Sequence, residues 1–313
     1  MLGRTAAGLF WMARYLERAE NTARLVEAGY RMALTRSQSG EEEWGSVITT
    51  AGCRDSYLER HETIRGEKVT DFTLRDRNNP VSVVSALFSA RENARMTRTA
   101  LTREVWEAIN DYWMAVRDAL KRPPSEAGLL EILTLIRQQG AQVRGAMTST
   151  MLRNDIYNFV MLGIMTERAD NTARILDTKY YVLLPSSASV GSSLDNVQWE
   201  MILRSASAER SFHWLNGGNI TPKAIADFLI FDTRMPRSLG YCYDTITYEL
   251  DCLSRQYGQK LPCHDLAASL EASLTITSID NVFDEGLHEF LTDVMGRNAI
   301  LSQQIVQDYR FRE

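Results

Sequence analysis

The stretch ERAENTARLV at 17–26 returns as ERADNTARIL at 167–176, 150 residues further on, with only apolar and acidic residues exchanged for their like. A chain that writes one decamer twice is bound to build the same local structure twice. The repetition extends beyond the decamer. Trp44 is followed by Val47, Ile48 and Ala51, and Trp199 by Ile202, Leu203 and Ala206 at the same spacing. DFTLRDRNNPVS (71–82) aligns with DFLIFDTRMPRS (227–238), sharing Asp, Phe, Asp, Pro and Ser at an offset of 156. Three landmarks in one order predict a tandem duplication, with repeats at 1–150 and 151–313 packed as one helical body of approximate twofold symmetry. A solenoid is not expected, because it needs at least about three repeats.

Apolar residues recur at spacings of three and four almost throughout, and alternating strand-like runs are scarce, so the fold class is all-α. Ser125 reads as an N-cap ahead of Leu129, Ile132, Leu133 and Ile136. Asn79 reads as a cap with Pro80 at the first helical position, where a missing N–H costs nothing. The 227–238 segment reads as a helix end, a turn from Asp232 and a new helix from Pro236. Asp232 is expected to cap free amides, with Arg237 as the alternative partner. Loops are expected at 37–43, 121–125, 184–195, 216–222 and 258–265.

Composition removes several function classes. The net charge is −5 and no long basic run occurs, which argues against nucleic-acid binding. Arg14 breaks the apolar N-terminal patch, no segment approaches a membrane span, and a cytoplasmic protein is expected. Cys53, Cys242, Cys252 and Cys263 form no CxxC pair, and no Cys/His cluster has zinc spacing, so no metal site is expected. The basic residues are 30 Arg and 5 Lys. A GC-rich genome accounts for such a bias, but Arg is also the residue that forks onto carboxylates and phosphates.

On a helix, Glu17, Asn21 and Arg24 share one stripe with Glu20 beside them. Met12, Leu16, Ala19, Ala23 and Val26 lie opposite, and Arg18 points elsewhere. In the second copy FVMLGIM (159–165), apolar all round, runs straight into Glu167. Glu167, Asn171 and Arg174 are therefore expected to be internal, with Glu167 and Arg174 mostly inaccessible and paired. Such stripes are either a structural network between the repeats or the lining of a polar cavity. A further basic stack, Arg91, Arg95 and Arg98, needs Glu17, Glu20 or an anionic ligand opposite it. Its counterpart at 244–252 lacks the pattern.

FWMARYLERAENTARLVE, ARENARMTRTALTREVWEAIN and FLIFDTRMPRSLGYC together resemble the bacterial alpha-E family, named for its helical character and its Glu-Arg motif. The resemblance covers essentially the whole chain. It implies an all-α protein found beside a circularly permuted ATP-grasp protein and often a transglutaminase-like protease, company that implies peptide modification or amide-bond formation. The family's motifs fall on Glu17, Arg18, Asn21 and Arg24, on Glu167, Arg168, Asn171 and Arg174, and on Arg91, Glu92, Asn93 and Arg95.

Three functions follow as expectations. In the first, the chain is the helical partner of an ATP-grasp ligase. The arginines and asparagines of those motifs, with Glu92, hold substrate, Glu17 or Glu167 orients or deprotonates an amine, and catalysis is by positioning. This chain has no P-loop or Gly-rich phosphate cradle, so ATP and Mg are expected on the partner and the substrate is a peptide or amino acid. In the second, the chain is a scaffold whose stripes are structural. In the third, it is an independent peptide transferase, which would need a nucleophile or metal that the sequence does not offer.

Overall fold

The computed structural model describes residues 1–35, 40–181, 193–217 and 220–311. The loops expected over 37–43, 184–195 and 216–222 therefore lie partly outside the described residues. The described residues form fifteen α-helices and no strand.

Two long helices, α1 (Gly3–Thr35) and α8 (Asp155–Tyr181), carry the two decamers. They run side by side in the same direction, with Phe10 against Gly163 near their starts and Glu17 against Arg168 further along. A Cβ on Gly163 would stand 2.3 Å from the Phe10 carbonyl oxygen, so the close approach needs glycine. Leu9, Phe10, Met12, Ala13, Ala19, Ala23 and Val26 of α1 are buried, as are Phe159, Val160, Leu162, Ala169 and Ala173 of α8.

The first half continues with α2 (Glu41–Thr50), α3 (Arg54–Leu58), α4 (Gly66–Leu74), α5 (Val83–Met96), α6 (Arg103–Ala119) and α7 (Glu126–Thr150). The second continues with α9 (Ser193–Ser205), α10 (Glu209–Asn216), α11 (Pro222–Phe231), α12 (Leu239–Tyr257), α13 (Pro262–Ile276), α14 (Ile279–Glu285) and α15 (Leu287–Asp308). The same neighbours recur. α1 packs on α5, α7 and α2, while α8 packs on α12, α15 and α9. Each also crosses to the other set, α1 touching α9 and α8 touching α2. The buried series Leu133, Ile136, Gly140, Val143, Met147 of α7 matches Leu291, Val294, Asn298, Leu301, Ile305 of α15 in spacing.

Helix starts follow side-chain caps. Ser125 accepts from the Gly128 amide, as its sequence reads. Two expected starts are corrected. α5 begins at Val83, capped by Ser82, rather than at Pro80, and α12 begins at Leu239, capped by Ser238, rather than at Pro236. Asn79 is spent on a turn, donating to the Phe72 carbonyl at 2.9 Å and accepting from the Val81 amide. Asp232 likewise holds the Arg234 amide and guanidinium, leaving Arg237 free to turn inward.

Candidate functional site

The decamers meet by exchanging ion pairs. Arg168 donates to both carboxylate oxygens of Glu17, from Nε at 3.0 Å and Nη2 at 3.2 Å. Arg18 does the same to Glu167, at 2.6 and 3.1 Å. Each Glu-Arg dipeptide thus gives its acid to the other helix's base and its base to the other helix's acid. Two-point contacts of this kind fix angle as well as distance.

Around Glu17 the cluster is closed. Glu17 is 2% exposed and Glu20 is wholly buried. Arg237 reaches Glu17 at 3.0 Å, Glu20 at 2.8 Å and the Asn21 side-chain oxygen at 3.2 Å. Arg24 grips Glu20 at 2.6 Å and bonds Ser207, and Arg144 of α7 also pairs with Glu20. Burial alone would push both carboxylates up, but the arginines overcome it and hold both below the ordinary range. Of the arginines that share Glu17, Arg168 and Arg237 move apart. Burial would lower Arg168, but its two-point grip on Glu17 raises it, whereas burial, with Arg24 and Arg168 nearby, brings Arg237 down to about 10.

Around Glu167 the corresponding cluster is open. Arg14 donates to Glu167 at 2.8 Å and to Ser302, and Arg174 grips Asp170 at 2.6 Å. Burial would raise Glu167, but Arg14 and Arg18 together lower it. The fillers of the first cluster have smaller counterparts here. Thr22 bonds the Val81 carbonyl as Thr172 bonds that of Arg237, so Val81 stands where the first cluster has Arg237. Ser302 stands on α15 where Arg144 stands on α7. Gly52, at φ +69°, follows α2 and faces Arg174, whereas Ser207, at φ +52°, follows α9 and bonds Arg24. The result is a cleft of ≈ 220 Å³ whose lining includes Arg18, Asn21, Thr50, Gly52, Asn171 and Arg174. It shares Arg18, Asp170 and Arg174 with a larger groove of ≈ 840 Å³ that runs along α15 past Trp11 and Arg14.

The structure thus gathers Glu17, Arg18, Asn21, Arg24, Glu167, Arg168, Asn171 and Arg174 at one interface. It corrects several particulars. Arg18 does not point away, because α8 covers that side of α1. Arg174 is paired with Asp170 but less enclosed than Glu167, its side chain being 38% exposed. Glu17 and Glu20 are not partners of the α5 arginines. Arg91 bonds Asn110, Arg95 pairs on the surface with Glu92, and Asn93 bonds the Ser89 carbonyl. Arg91, Glu92, Asn93 and Arg95 line neither the cleft nor the groove. Sequence reasoning missed Arg14, Arg144 and Arg237 as members. Their one signal was a charge inside an apolar or repeated segment.

Cys53 and Cys242 are buried, which pushes both thiols up to about 12, so neither is poised as a thiolate. Among the described residues no three His, Cys, Asp or Glu side chains converge in a metal-holding group. No helix among them is long and apolar enough to cross a membrane.

The fold and this interface define a class, an all-helical domain organised about reciprocally paired Glu-Arg dipeptides. The chain belongs to the Alpha-E family, described as a predicted alpha-helical domain with a conserved ER motif, whose model matches residues 1–309. It is similar to an uncharacterized protein of Mycobacterium bovis, 25% identical over 283 residues, covering 83% of this chain and 31% of that protein. An uncharacterized protein of Mycobacterium tuberculosis strain H37Rv is 24% identical with the same coverage. The chain thus spans about a third of the length of these curated relatives. No solved structure matches.

Proposed function

We propose that this chain is the helical, substrate-positioning partner of a circularly permuted ATP-grasp ligase in peptide modification or amide-bond formation. The partner, holding ATP and Mg, converts a carboxylate to an acyl phosphate. An amine then attacks the acyl carbon, phosphate leaves, and the amine loses a proton. This chain's contribution is to hold one reactant in register, which lowers the entropic part of the barrier. The observation that carries this reading is the open cleft, where Arg18 and Arg174 are fixed by carboxylates yet border solvent. Glu17 and Glu167, held ionised by their arginines, are poor proton acceptors near neutral pH and serve to orient Arg168 and Arg18.

A scaffold role is the second reading, favoured by the closed cluster around Glu17 and Glu20. Reconstitution separates the two. ATP-dependent product formed by the ATP-grasp protein only when this chain is added supports positioning. A partner that works fully alone contradicts it and leaves the scaffold.

A further inference from the structure

Three enclosed polar atoms at the cleft find no hydrogen-bond partner among the described residues: Asn21 Nδ2, Asn171 Nδ2 and Thr50 Oγ1. Their residues are 3%, 6% and 5% exposed. Leaving a buried polar group unpaired is costly, so three at one small cleft are a feature to be explained. The orientation of Asn21 is set by its neighbour, because its oxygen accepts from Arg237, which makes the NH2 the end without a partner. Two amide donors and a hydroxyl, flanked by Arg18 and Arg174, call for an acceptor-only ligand.

Charge narrows the ligand further. Arg18 and Arg174 of the cleft wall are matched by Glu167 and Asp170, and Arg14, which pairs with Glu167 from the side of the neighbouring groove, leaves one positive charge over. A monoanion balances that surplus, whereas a phosphate dianion exceeds it. The remaining wall includes Leu25, Ala51 and Val81, which suit a short aliphatic stem. Gly52 lets the chain turn beside Arg174 without a side chain entering the space. We infer that the cleft between Asn21, Thr50 and Asn171 binds a carboxylate on a small aliphatic group, as carried by a free amino acid or a peptide C-terminus. The inference rests on reading this cleft as substrate-binding but not on the identity of the ATP-grasp partner.

The test uses the isolated chain, calorimetry and thermal melts, with four probes: alanine, trialanine, trialanine amide and inorganic phosphate. Trialanine, alanine or both should bind and raise Tm, with the preference between them telling peptide end from free amino acid. The amide and phosphate should bind at least about tenfold more weakly, the scale of losing a hydrogen bond to a charged group. Thr50→Val, nearly isosteric, should melt at or above the parent temperature, since it removes an unpaired hydroxyl, yet weaken binding on the order of tenfold. Asn171→Leu should do the same. The inference is overturned if neither carboxylate binds, if the amide or phosphate binds as tightly, or if Thr50→Val and Asn171→Leu keep full affinity. Carboxylate binding that survives while the two-protein reaction fails would strike the proposed partnership alone.

Discussion

Glu17 pairs with two buried arginines, Arg168 and Arg237, that have few other places to put their charge. Among the described residues Arg168 otherwise reaches only the Pro236 carbonyl, and Arg237 would depend on Glu20 and Asn21. Glu17→Ala should therefore cost about 3–5 kcal/mol in a denaturant titration, the usual penalty for orphaning a buried charge. Arg95→Ala, on the surface with Glu92, should melt as the parent does. Acid should find the network as well. Glu17, Glu20 and Glu167 have folded values below the ordinary 4.5, so their contribution is complete above that value and is lost as the pH falls through the lowered ones. Tm should be nearly level from neutral pH down to about 5 and fall steeply below about 4.5. Glu167→Gln should flatten that slope, and an unchanged slope would mean that Glu167 is not held ionised. Much of the network was legible, because Glu17, Asn21, Arg168 and Glu167 share a repeated decamer. Arg144 and Arg237 were not, because what recruits them is the position of α7 and of the turn before α12, and helical spacing within α1 says nothing of that.

At the scale of elements, α1 and α8 are brought together by small residues as much as by charge. Gly163→Ala would drive a methyl group onto the Phe10 carbonyl and the Ala13 side chain, forcing the helices apart. Overpacking of this kind costs about 1–3 kcal/mol. Gly145→Ala on α7 is the control. Apart from its chain neighbours and its own helix backbone, no atom of the described residues lies within 4 Å of its added carbon, so the change should stabilise by about 0.5–1 kcal/mol through helix propensity. If both variants melt alike, the close approach of α1 and α8 is not as described. The helices themselves were readable from periodicity, and Ser125 announced its own. The starts of α5 and α12 were misread because Pro80 and Pro236 look like first-turn prolines. The competing chemistry, an Asn79 turn and serine caps two residues after each proline, carries the weaker local signal.

At the scale of the whole molecule, similar sequences produce two unlike environments. One cluster surrounds its acid-arginine set with Arg144, Arg237 and Ser207. The other offers Ser302, Val81 and Gly52, and a cleft opens. The decamers made the pairing foreseeable. The asymmetry was hidden because it lies in three positions on three other elements, none remarkable alone. It assigns different work to equivalent arginines, and one comparison tests this directly. Arg24→Ala and Arg174→Ala are the same substitution at the same place in the two decamers. Each would be measured for Tm and for ATP-dependent product formation with the ATP-grasp partner. The account predicts that Arg24→Ala lowers Tm clearly, while Arg174→Ala melts close to the parent and loses product formation. Arg174→Ala that is fully active, or as destabilised as Arg24→Ala, would contradict it.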